Sequence, residues 1–146
     1  MDPEKFIYVT YIASTPAKVW KALTEGELTR QYWKHTNESD WKPGSKWKHV
    51  ADDGKGPVKV VGQVVEVVPN KRLVLTWGDV TDAGSSAKHS RVAIEIETIG
   101  EMVRLTVTHD ELKDAEMAKK ISNGWPRVLS SLKSFLETGR ALNTWA

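Results

Sequence analysis

Apolar residues recur at steps of three and four between Asn123 and Glu137, and at every second position along most of the chain before it. Those two periods belong to a helix and to strands. In NGWPRVLSSLKSFLE the residues Trp125, Val128, Leu129, Leu132, Phe135 and Leu136 fall on one helical stripe. Arg127, Ser130, Ser131, Lys133, Ser134 and Glu137 fall on the side expected to face water. Pro126 fits a first turn, Ser122 or Asn123 can cap the start, and Gly139 can supply a left-handed stop. A stripe this wide and aromatic needs a partner surface.

The upstream chain supplies strands. Lys5 to Ile12 alternates, with Phe6, Tyr8, Thr10 and Ile12 on one face. Thr15-Pro16 opens a short helix running to about Thr24, Gly26 interrupts it, and Glu27 to Trp33 forms a second. Pro43-Gly44 marks a turn before a strand from Lys46 to Val50, with Trp47 and His49 on one side. Asp53-Gly54 suits a tight hairpin turn before the valine-rich strand Val58 to Val68, where Gly62 predicts a bulge or bend. Leu73, Leu75 and Trp77 share a face of the next strand, and Thr81 to Lys88 reads as a polar loop. In the last two strands Val92, Ile94, Ile96, Val103, Leu105 and Val107 point inward, and parity carries His109 to the same face. Asp110 to Ser122 reads as a separate short helix, broken from the long one near Gly124-Trp125-Pro126. The expected architecture is α+β: six antiparallel strands, two short helices after the first strand, and a long C-terminal helix gripped by the curved sheet. No repeat or linker divides residues 1–146, so one domain is expected. Lys46 and Lys48 are expected to guard a sheet edge.

Composition narrows the function classes. The chain is mildly basic, with net charge +2, but Lys and Arg are interspersed with Asp and Glu. That pattern does not point to nucleic acid. Without cysteine there are no disulfides, thiolate metal sites or cysteine nucleophile, which suits a reducing cytoplasm. The N-terminus lacks signal-peptide character, and no apolar run is long enough to span a bilayer. Seven tryptophans are many for 146 residues.

Four segments together resemble a known family: ASTPAKVWKALTE, GQVVEVVPNKRLVLTW, SRVAIEIET followed by VRLTVTHDEL, and GWPRVLSSLKSFLE. They are similar to the activator-of-heat-shock-protein-ATPase-like (AHSA-like) branch of the START-like (SRPBCC) superfamily. The resemblance implies a helix-grip fold over nearly the whole chain, and a link to chaperones and the stress response. Ser14-Thr15 between Ala13 and Pro16, and Ser45 after Gly44, depart from the pattern at turns only.

The candidate chemistry is aromatic. Trp33, Trp47, Trp77 and Trp125, with Leu129, are expected to line a cleft between helix and sheet and to hold a small hydrophobic or amphipathic ligand, or simply to fill that space. His109 is the expected polar anchor, or else a structural histidine. His35 and His49 lie near the same cleft, but their spacing matches no metal-ligand motif, so no metal and no cofactor is expected. No catalytic set is predicted; a cyclase- or hydratase-like enzyme would rest on His109 alone. The alternative to a ligand module is a chaperone-linked protein-binding domain using the outer sheet face, as a monomer or weak homodimer.

Overall fold

The protein is represented by a computed structural model that describes residues 5–51, 55–82 and 89–142. The expected Asp53-Gly54 turn and residues 83–88 of the polar loop lie outside the described residues. Element order is β1 (Phe6–Ile12), α1 (Pro16–Thr24), α2 (Gly26–Trp33), β2 (Thr36–Ser39), β3 (Lys46–Val50), β4 (Val58–Val68), β5 (Arg72–Trp77), β6 (Ser90–Ile99), β7 (Met102–Asp110) and α3 (Ala115–Thr138). The strands form one sheet in the order β1-β7-β6-β5-β4-β3-β2, and every pairing is antiparallel.

The sheet has seven strands rather than six. The extra strand is Thr-Asn-Glu-Ser, four polar residues without apolar alternation. It forms because β3 offers an open ladder, and because buried Thr29 on α2 accepts the Asn37 N–H at 3.0 Å. The edge therefore lies at β2, and Lys46 and Lys48 sit on an interior strand. β4 changes partners along its length. Its first half pairs with β3 and its second half with β5, and the register slips between Val64 and Glu66. The bend expected at Gly62 falls at that slip instead.

Between the Val61–Gly78 bridge and the Val64–Leu75 pair the ladder of β4 with β5 is interrupted, and the Trp47 indole fills the break. It passes over Gly62, its cross-strand neighbour, and donates from Nε1 to the Thr76 carbonyl at 2.7 Å. A Cβ at position 62 would lie 2.0 Å from that oxygen, so the crossing needs glycine.

α3 is one continuous helix of 24 residues, not two. Asp114 caps its start by accepting from the Met117 N–H, and Gly139 stops it with φ 82°. Pro126 stands mid-helix. It can donate nothing to the Ser122 carbonyl, but Ser122 is solvent-exposed, so water can satisfy that oxygen. Trp125, Val128, Leu129 and Leu132 are buried against the sheet, each contributing about 1.5–3 kcal/mol of burial. Phe135 and Leu136 are half-buried. Ser131, expected to face water, is fully buried. The chain turns back after Gly139, and Ser131 Oγ binds both the N–H and the carbonyl of Leu142. No helix is long and apolar enough to cross a membrane among the described residues.

Candidate functional site

The concave face collects rings from five elements. Trp33 ends α2, Trp47 and His49 lie on β3, Trp77 ends β5, His109 lies on β7, and Trp125 lies on α3. Ring centroids stand 5.5 Å apart for Trp33–Trp125, 5.6 Å for Trp77–Trp125, 5.4 Å for Trp47–Trp77 and 5.4 Å for Trp77–His109. All four contacts are tilted or edge-on, the arrangement that ring quadrupoles favour. His49 extends the cluster against Trp33 at 4.6 Å and stacks on His35 at 4.4 Å. The structure thus brings together the expected Trp33, Trp47, Trp77, Trp125 and His109. Leu129 belongs to the same buried core, one turn along α3 from Trp125.

Packing leaves almost no room inside. The void bordered by Leu23, Trp33, Trp47, Leu75, Trp77 and Trp125 measures about 10 Å³. That is about the least that holds one water. Open space begins outside, where the start of α3 diverges from the sheet. Val60, Trp77, Met117 and Ile121, with Lys59, Asp79, Lys113, Asp114, Glu116 and Lys120 at the rim, line a groove of about 500 Å³. Among the described residues, Trp77 is the one side chain that borders both this groove and the void.

The polar atoms of the cluster are bound to one another. The Trp125 indole can only donate, and its N–H points to His109 Nδ1 at 3.1 Å. His109 is therefore the tautomer that carries its proton on Nε2, and it donates that proton to Ser90 Oγ at 2.7 Å. Ser90 in turn donates to the Trp77 carbonyl at 3.1 Å. Burial lowers the His109 pKa to about 3, so the ring is neutral at physiological pH. In this arrangement His109 has neither a lone pair nor a proton to spare for a substrate, and a ligand would have to break one of its bonds. His49 is held similarly: its Nδ1–H donates to Asn37 Oδ1 at 2.5 Å. Burial first, and His35 second, lower its pKa to about 3. No group of three or more potential metal ligands is found among the described residues.

Three contributors escaped the sequence pattern. Ser90 and Asn37 gave no signal, because their roles are to satisfy histidines on other strands. Trp41 borders the void from the loop after β2, held at φ 55° in the left-handed region. A bulky residue in that conformation stores strain, and no composition rule announces it.

Comparison with known proteins places this geometry. The family model described as Activator of Hsp90 ATPase homolog 1-like protein matches residues 13–137. No match to a curated relative is found. Among solved structures, Aha1 from Colwellia psychrerythraea, determined in solution as a dimer, is 20% identical with a TM-score of 0.75, covering 94% of this chain and 98% of that one. An HSP90 activator from Plasmodium falciparum is 20% identical with a TM-score of 0.75, covering 91% and 96%. A protein from Mesorhizobium loti is 22% identical with a TM-score of 0.77, covering 90% and 96%. At these identities the likeness is one of fold.

Proposed function

From the premise that the chain belongs to the Activator of Hsp90 ATPase homolog 1-like family, we propose that it is a non-catalytic cytoplasmic module that binds a small hydrophobic or amphipathic molecule at the mouth of the grip. The observation that carries this reading is the position of Trp77 between the outer groove and the closed aromatic core. Ligand sites occupy roughly 300–1,000 Å³, which fits the groove and not the interior. An apolar tail would lie on Val60, Trp77, Met117 and Ile121, and a polar head would meet the mixed charges of the rim. Trp33, Trp47, Trp125, Leu129 and His109 stand behind Trp77 as the space a longer ligand would enter by displacing packed rings.

The test is a titration with fatty acids, flavonoids and non-ionic detergents, read by tryptophan quenching and thermal shift. Saturable quenching, weakened about tenfold or more by Trp77→Ala, is the expected result. No response across the panel, or equal affinity in the variant, refutes it.

A chaperone-associated role is the second reading, favoured by the filled interior together with the family. The convex sheet face would then be the working surface, with Arg104 paired to Glu97 at 2.9 Å and Arg72 paired to Glu66 and Glu95. Retention of an Hsp90-type chaperone that survives Trp77→Ala but is lost in Arg104→Glu would select this reading over the first. A cyclase- or hydratase-like activity has least support, since both His109 nitrogens are engaged within the protein.

A further inference from the structure

The sheet ends at β1, and no described strand lies beyond it. In an antiparallel ladder successive residues turn both backbone groups alternately toward a neighbour and away from it. The Tyr11 carbonyl accepts from Lys133 Nζ, and the Ala13 N–H donates to Glu137 Oε2 at 2.8 Å; both partners lie on α3. The odd-numbered residues of β1 therefore face away from β7. It follows that Ile7 and Val9 aim both N–H and C=O outward along an open edge.

Edges of this kind are normally blunted by charge, proline, a bulge or brevity. β2, the opposite edge, is four residues long and carries Glu38. β1 has none of these devices. Its seven residues, FIYVTYI, include no charge and no proline, and its register with β7 runs unbroken from Phe6 to Ile12. Both of its faces are apolar. Ile7, Val9 and Tyr11 are 54%, 44% and 42% exposed on the convex side. Phe6 and Tyr8 stack at 6.4 Å on the other and are half-buried.

We propose that β1 is the contact of a two-fold homodimer, in which the β1 strands of two copies pair antiparallel and join their sheets into one. The register follows from which groups are open. An axis through Tyr8 sets Ile7 of each copy opposite Val9 of the other. Those pairs exchange N–H···O bonds that use only unoccupied groups. An axis through Val9 would instead require the Tyr11 carbonyl, which Lys133 already holds. Around Tyr8, Ile7 packs on Val9 across the convex face, Tyr8 meets its own copy, and Phe6 meets Thr10 on the concave side. The strand is thus its own complement in hydrogen bonding and in apolarity, and it offers no charge for a foreign charged peptide to match. The Lys133–Glu137 pair, 2.7 Å apart, closes the far end of the edge and stops pairing from running on. Two strands of this length bury less than the roughly 1,600 Å² of a standard stable interface, so the dimer is weak and concentration-dependent.

Sedimentation velocity of the full chain from about 5 to about 500 µM tests this, because a contact of that size associates within that range. Wild type is expected to pass from monomer to dimer. Val9→Pro removes an N–H that points away from β7, so the monomer keeps its ladder while the dimer loses two bonds by symmetry. Val9→Lys places a charge on the same edge without touching the backbone. Both variants are expected to raise the dimer Kd at least about tenfold, with unchanged circular dichroism at low concentration. If Val9→Pro misfolds, Val9→Lys decides alone. Amide exchange adds a local readout: Ile7 and Val9 should gain protection with concentration, and Tyr8 and Thr10 should not. A wild-type chain that stays monomeric throughout overturns the proposal. So do a dimer indifferent to Val9→Lys, flat protection at Ile7 and Val9, or a foreign strand peptide that occupies the edge while the chain stays monomeric.

Discussion

Replacing Gly62 by alanine asks whether the sheet depends on the Trp47 crossing. The new methyl would lie 2.0 Å from the Thr76 oxygen and 2.4 Å from Trp47 Nε1, the two atoms bonded to each other at 2.7 Å. The oxygen is backbone and cannot swing aside, so β4 must shift or the indole must leave. If the indole leaves, a buried N–H loses its acceptor, which costs about 1–3 kcal/mol. Overpacking adds about 1–3 kcal/mol. Alanine returns about 0.5–1 kcal/mol by restricting the unfolded chain. The net expectation is a loss of about 1–5.5 kcal/mol, centred near 3. Urea unfolding followed by far-UV circular dichroism and tryptophan fluorescence measures it, with near-UV spectra reporting the indole packing. A loss below about 1 kcal/mol with an unchanged near-UV spectrum would show that the crossing is incidental.

The same substitution elsewhere reverses sign. At Gly124, mid-helix with nothing within 4 Å of the added Cβ, alanine should stabilise by about 0.5–1 kcal/mol in the same urea assay. Leu132→Ala, a core truncation on the buried stripe, should cost about 2–5 kcal/mol, and a surface-like effect would mean that the helix is not gripped. Acid should weaken the fold through His109 and His49. Both have pKa values lowered from the ordinary 6.5 to about 3, so their contribution is fully present above pH 6.5 and is lost as pH falls toward 3. Each costs about 1.4 kcal/mol per pH unit in that window, because the unfolded chain takes up a proton that the folded chain refuses. Ring NMR signals of His109 that titrate near pH 6.5 in the folded protein would refute this.

Much of the fold was legible because the burial signal was local. Val92, Ile94, Ile96, Val103, Leu105 and Val107 alternate without exception, and parity alone brought His109 inside. The same reasoning failed wherever a distant partner decides. Thr36–Ser39 became a strand through bonds supplied by β3 and α2, not through its own pattern. Ser131 looked wet on a helical wheel and is buried by a chain end that returns along the helix. Pro126 looked like a helix start, since sequence cannot say that the orphaned Ser122 carbonyl faces solvent. That Trp47, Trp77 and His109 meet Trp33 and Trp125 was expected from strand faces and helix positions. The bonds that occupy His109 were not, because they depend on register between β6 and β7 and on the setting of α3.

The proline inside α3 divides one helix into two mechanical regimes. Beyond it, Val128, Leu129 and Leu132 are buried in the core, which ties that half of the helix to the sheet. Before it, Met117, Ala118 and Ile121 are only half-covered, and the helical ladder lacks one rung. The same rod is therefore an anchor at one end and a lightly held wall at the other, and that wall is the one that lines the groove with Trp77.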